Sequence, residues 1–172
     1  MLLPTAVDVL RCVERTIETV IAPALPGAAE RSAAATVGHL LRHVALRIER
    51  EGALLAAEIT RLRPLLGDAD GVLKRDFTQT AAVTEALAAI AAALAIPPPP
   101  PHGYRDLASM ASEVTALRQS VCAVLELVQR HEASLSPAAR DIHASLKDYI
   151  AWELENESKL IDPAFEGFGP RR

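Results

Sequence analysis

From Ala28 to Leu66 the chain carries apolar residues at helical spacing, with no proline before Pro64. At about 100° per residue, Val37, Leu41, Val44, Ile48, Leu55, Ile59 and Leu62 fall on one face. Such a stripe lets a helix pack in a bundle. The spacing predicts one helix, or two end to end, closed at Gly67, where a C-terminal glycine is favoured. At about 1.5 Å per residue it spans roughly 58 Å, about twice the diameter of a small domain. A helix of that length must bend, break, project or be covered by a second subunit. Gly52 is either its weak point, since a mid-helix glycine costs about 1 kcal/mol relative to alanine, or a place where a neighbouring helix comes close.

Polar residues on this stretch raise two chemical questions. His39 and His43 are four apart, a spacing that can chelate a metal. They lie roughly 160° from the apolar stripe, so they are expected to face solvent or a partner. Two ligands also leave a metal site incomplete. Glu51 and Glu58, seven apart, border or enter the stripe where leucine is expected. A carboxylate there must reach water, pair with a cation or bind a metal.

The rest of the chain reads as four further helices. The first runs from Thr5 to Ala22, with Ala6, Leu10, Val13, Ile17 and Val20 on one face. Pro23 and Pro26-Gly27 end it, and the short connection makes it an antiparallel hairpin with the long helix. The third is expected over Val72–Ala95, with Leu73, Thr80, Val83, Leu87, Ile90 and Leu94 as its stripe. Pro97 to Pro101 and His102-Gly103 follow, an extended connector that serves as a stiff spacer or as a ligand for an aromatic-lined groove. Asp106 is a good N-cap for the fourth helix, whose stripe is Leu107, Met110, Val114, Leu117, Val121, Leu125 and Val128. Arg118 falls inside that stripe. It either snorkels to water, pairs with Glu51, Glu58 or a carboxylate of the fifth helix, or binds an external anion.

The fifth helix opens at Ser136-Pro137 and is expected to stop before Asp162-Pro163. Ile142, Leu146, Tyr149, Ile150 and Leu160 form its stripe, and Glu153 and Glu157 sit in the middle beside Trp152. A tail from 163 to 172 carries Phe165 and Phe168, and it packs over the bundle or docks a partner.

One segment also resembles a known family. Pro4-Thr5-Ala6, Pro23-Ala24-Leu25-Pro26-Gly27, Glu49-Arg50-Glu51 and Leu65-Leu66-Gly67 are similar to a small bacterial all-helical family, a domain of unknown function. Its genes often lie near phosphotransferase-like and acyl-CoA dehydrogenase genes. That family carries Arg and Asn early in its second helix, where this chain has Ala33-Ala34-Ala35-Thr36-Val37. The resemblance covers residues 4–67 and implies no activity, so it assigns no site.

Composition narrows the classes. Half of the 172 residues are hydrophobic and only 3% are aromatic, which suits close helix packing. A formal net charge of −4 argues against a nucleic-acid partner. Cys12 and Cys122 lack metal-type spacing, and Cys122 is expected as a buried thiol in a reducing, cytoplasmic setting. The start of the chain has no basic segment before an apolar run, so no secretory signal is expected. The most apolar run, Ala86 to Ile96, is too short to span a bilayer.

Carboxylates on two bundle helices suggest a metal-carboxylate site. The Glu-x-x-His pair that such sites use is missing, and no glutamate here has a histidine three residues on. His131 lies near a helix end and His143 borders a stripe. There is no nucleophile elbow, phosphate loop or Cys-x-x-Cys pair. The expectation is an all-α, up-and-down bundle of about five helices over residues 1–162, non-catalytic and without a cofactor. It acts as a homodimer or through a protein partner, with Leu46, Leu54 and Ala57 marking an outer apolar patch. The alternative is a metal- or small-ligand-binding bundle using Arg118, Glu51, Glu58, Glu153 and Glu157, with His39, His43 and His143 as metal candidates.

Overall fold

The computed structural model describes residues 4–97 and 105–165. The fold is all-α, with no strand among the described residues. In order, the elements are α1 (Ala6–Thr16), a π turn (Ile17–Ile21), α2 (Ala22–Ala24), α3 (Ala28–Asp76), α4 (Ala81–Leu94), α5 (Leu107–Arg130), a 3-10 turn (Glu132–Ser134) and α6 (Pro137–Phe165). The described residues form two compact units, 4–51 with 155–165 and 52–97 with 105–154. Helices α3 and α6 contribute to both. Apart from Pro97, the proline connector lies outside the described residues, as does Phe168 of the tail.

The second unit holds the core. Leu62, Leu66, Ala69 and Leu73 of α3 meet Val83, Ala86 and Ile90 of α4. Leu117, Val121, Val124 and Val128 of α5 and Ala139, Leu146 and Tyr149 of α6 complete it. Short turns join α3 to α4 and α5 to α6, as in an up-and-down bundle. Each start is capped from its own sequence. Thr80 accepts from the Val83 amide, Asp106 from Ser109 and Ser136 from Ala139.

Two predicted helix boundaries are corrected here. Helix α3 does not close at Gly67; it runs through Pro64, Gly67 and Gly71 to Asp76. The buried series Leu62, Leu66, Ala69, Val72 and Leu73 continues past the glycine, and that burial outweighs the local stop signal. The next helix accordingly begins at Ala81 rather than Val72, and Thr80 is its cap rather than a core residue. At Gly52 the helix is unbroken, and a Cβ there would meet Leu107 Cδ2 at 3.4 Å. Close approach, not weakness, is its role.

The first unit is built differently. Thr5 and Asp8 form a reciprocal capping box that starts α1. The π turn follows because Pro23 has no amide to give the Thr19 carbonyl, so the helix widens ahead of it. At the other end, α6 does not stop before Pro163 but passes through it to Phe165. Pro163 cannot donate to the Lys159 carbonyl, and Arg50 of α3 donates to it instead at 3.3 Å. His39 Nδ1 and Arg42 likewise donate to the Ala164 carbonyl. Basic side chains of α3 thus cap the C-terminal end of α6, where the helix dipole favours them.

Among the described residues, the first unit has no core of large side chains. Its buried hydrophobics are Ala34, Ala45, Leu160 and Ala164. The N-terminal half of the predicted stripe is not core: Val37, Val44 and Ile48 are exposed, and small Ala34, Gly38 and Ala45 are covered instead.

Candidate functional site

Three polar groupings and a set of exposed hydrophobics compete for attention. The first grouping is in the second unit and unites residues of α3, α5 and α6. The Glu58 carboxylate is buried and takes two parallel bonds from Arg118, Nε to Oε1 at 2.6 Å and Nη2 to Oε2 at 2.9 Å. The Tyr149 hydroxyl donates to the same Oε1 at 2.5 Å. Glu153 lies 2.8 Å from Arg118 Nη2. Burial, then the adjacent Glu58 carboxylate, pushes the Tyr149 phenol well above its ordinary range, so it stays protonated and donates. The bond to Glu58 holds the Arg118 guanidinium charged. Of the three fates open to Arg118, internal pairing is the one adopted. Donors already engage both oxygens of Glu58, which describes a satisfied ion-pair network rather than a vacant ligand set. Beside it, Arg61 lies over the Trp152 ring, 5.4 Å from its centroid.

The sequence reading missed the second grouping. Glu113 of α5 is fully buried and bonded by Arg63 Nε at 2.8 Å, while Arg105 pairs with its other oxygen. Arg63 also donates to the Leu94 and Ile96 carbonyls at the end of α4. Glu113 is three residues from Met110 and four from Leu117, so the same periodicity that exposed Arg118 could have found it.

The third grouping belongs to the first unit. His39 and His43 do not face solvent; they turn toward α6, with ring centroids 5.7 and 6.1 Å from Phe165. His39 is occupied as a helix cap, and His43 Nδ1 is buried without a hydrogen-bond partner. His43, Arg47, Glu157 and Phe165 line a groove of about 270 Å³. Glu51 pairs with Arg47 at 2.5 Å. The candidate carboxylates therefore separate: Glu58 and Glu153 share Arg118 in the second unit, while Glu51 and Glu157 belong to the first. His143 is buried on α6, and its Nε2 has no hydrogen-bond partner. Among the described residues, no three His, Cys, Asp or Glu side chains cluster as metal ligands. Cys122 is exposed, not buried, in a groove between α4 and α5 lined by Ala82, Ala86 and Ala89.

Exposed large hydrophobics also gather in the first unit, on several sides of its helices. Val9 and Val13 of α1, Val20 and Ile21 of the π turn, Val37, Leu40, Val44 and Ile48 of α3, and Ile161 and Phe165 of α6 are each 42–62% exposed. Among the described residues, these are ten of the twelve exposed large hydrophobics; Leu107 and Leu154 alone belong to the second unit. The expected patch at Leu46, Leu54 and Ala57 is not where this exposure gathers, since Leu46 and Leu54 are half-buried.

Compared with known proteins, the chain matches no family model, no curated protein and no solved structure. No helix among the described residues is long and apolar enough to cross a membrane.

Proposed function

We propose that this is a non-catalytic, cytoplasmic helical protein that acts by association, through the open apolar row of α3 in its first unit. The observation that carries this is the segregation of exposed large hydrophobics: ten in the unit with few buried residues, two in the unit with the core. Burying an aliphatic side chain is worth about 1.5–3 kcal/mol, so a half-exposed row of them forfeits a large favourable term. Val37, Leu40, Val44 and Ile48 repeat at spacings of three and four along α3, which suits contact with another helical, uncharged, aliphatic surface. The resemblance of residues 4–67 to a bacterial helical family belongs to this proposal and adds no activity to it.

The test is hydroxyl-radical labelling of aliphatic side chains in living cells and in dilute purified protein. Val37, Val44 and Ile48 should be protected in cells, at least about threefold, while exposed Leu154 is labelled alike in both. Equal labelling of all four in both settings overturns the reading.

A further inference from the structure

We infer that the groove between α3 and the end of α6 binds a free α-amino acid with an apolar side chain. This goes beyond the contact row proposed above and does not depend on it, since Val37, Val44 and Ile48 do not line the groove. All of its lining residues belong to the first unit.

Two helical faces supply its walls. His43 and Arg47 are four apart on α3, and Glu157, Ile161 and Phe165 follow at intervals of four on α6, so each set projects from one side of its helix. The volume, about 270 Å³, falls just short of the roughly 300–1,000 Å³ of sites for drug-sized ligands, so the occupant is a smaller molecule. Leu160 is buried there, while Ile161 and Phe165 line the groove at 42% and 50% exposed. Covering those surfaces favours an aliphatic or aromatic side chain.

The polar groups define the rest of the ligand. Arg47 gives one guanidinium nitrogen to Glu51 and keeps other donors unspent. Glu157 has no hydrogen-bond or ion-pair partner among the described residues, Arg47 included. A cation and an anion thus line one small groove without closing on each other. His43 Nδ1 is also buried without a partner, which is rare in a complete structure. A lone carboxylate entering here would meet Glu157, and a lone ammonium would meet Arg47, like charge against like. An α-amino acid answers both. Its carboxylate accepts from Arg47, its ammonium donates to Glu157, and its side chain lies on Ile161 and Phe165. A peptide terminus carries only one of the two charges, so the occupant is a free amino acid.

Ligand-observed NMR of the full chain with L-leucine and L-phenylalanine, each up to about 10 mM, tests this. At least one should bind with a Kd below about 1 mM. The N-acetyl form of the tighter ligand lacks the ammonium and its amide lacks the carboxylate; each should bind at least about tenfold more weakly. Arg47→Gln and Glu157→Gln, at exposed positions where the fold tolerates the loss of a charge, should each weaken binding by at least about tenfold. No binding of either amino acid at about 10 mM, binding indifferent to both substitutions, or a derivative that binds as tightly as its parent overturns the inference.

Discussion

At the scale of single residues, the second unit is organised by buried charge that is fully answered. Glu58 has Arg118 and Tyr149, and Glu113 has Arg63 and Arg105. Paired in this way, a buried carboxylate is close to neutral for stability, but it becomes costly when a partner is removed. Tyr149→Phe keeps the ring and deletes one bond to a charged acceptor, so chemical denaturation at pH 7 should show a loss of about 2 kcal/mol. The pH dependence has a definite sign. The folded Tyr149 phenol is held above its ordinary range, while in the unfolded chain it ionises near pH 10. Its contribution is therefore complete below about pH 10 and falls as pH rises further, because the unfolded state then binds fewer protons. Tyr149→Phe should flatten that alkaline decline; an unchanged slope would count against the bond to Glu58. Arg118 was legible in the sequence because a long cation on a clean apolar stripe is conspicuous. Its partner was not, because spacing along one helix says nothing about which carboxylate of another helix it meets.

At the scale of elements, α3 carries the lesson about local signals. Pro64 and Gly67 read as stops, yet 49 residues remain helical, roughly 74 Å at about 1.5 Å each. The stop signals are worth at most a few kcal/mol, whereas Leu66, Ala69, Val72 and Leu73 are buried beyond them. A Cβ at Gly67 meets nothing within 4 Å. Gly67→Ala should thus stabilise the protein by about 0.5–1 kcal/mol in thermal or denaturant unfolding. Had the helix ended there with a left-handed glycine, the same change would destabilise, so the sign of the effect decides. Pro163 teaches the same point with a visible compensation, since the carbonyl it leaves unclaimed is taken by Arg50. No rule of sequence periodicity anticipates a donor supplied by another helix.

At the scale of the whole molecule, the all-α fold and the long helix were legible, because 3-4 periodicity and an alanine-rich composition leave little else to build. The division of labour along that helix was not. The stripe from Val37 to Leu62 is continuous in sequence, but its second half is buried among α4, α5 and α6 while its first half is left open. Periodicity reports which residues share a face, not whether the chain itself provides the cover. The second unit thus carries its own core, while the first has few buried residues. Amide hydrogen exchange in dilute purified protein tests this division most directly, because exchange reads local stability segment by segment. Amides of residues 37–48 should exchange at least about tenfold faster than those of 62–73. Equal protection of the two segments would contradict the division.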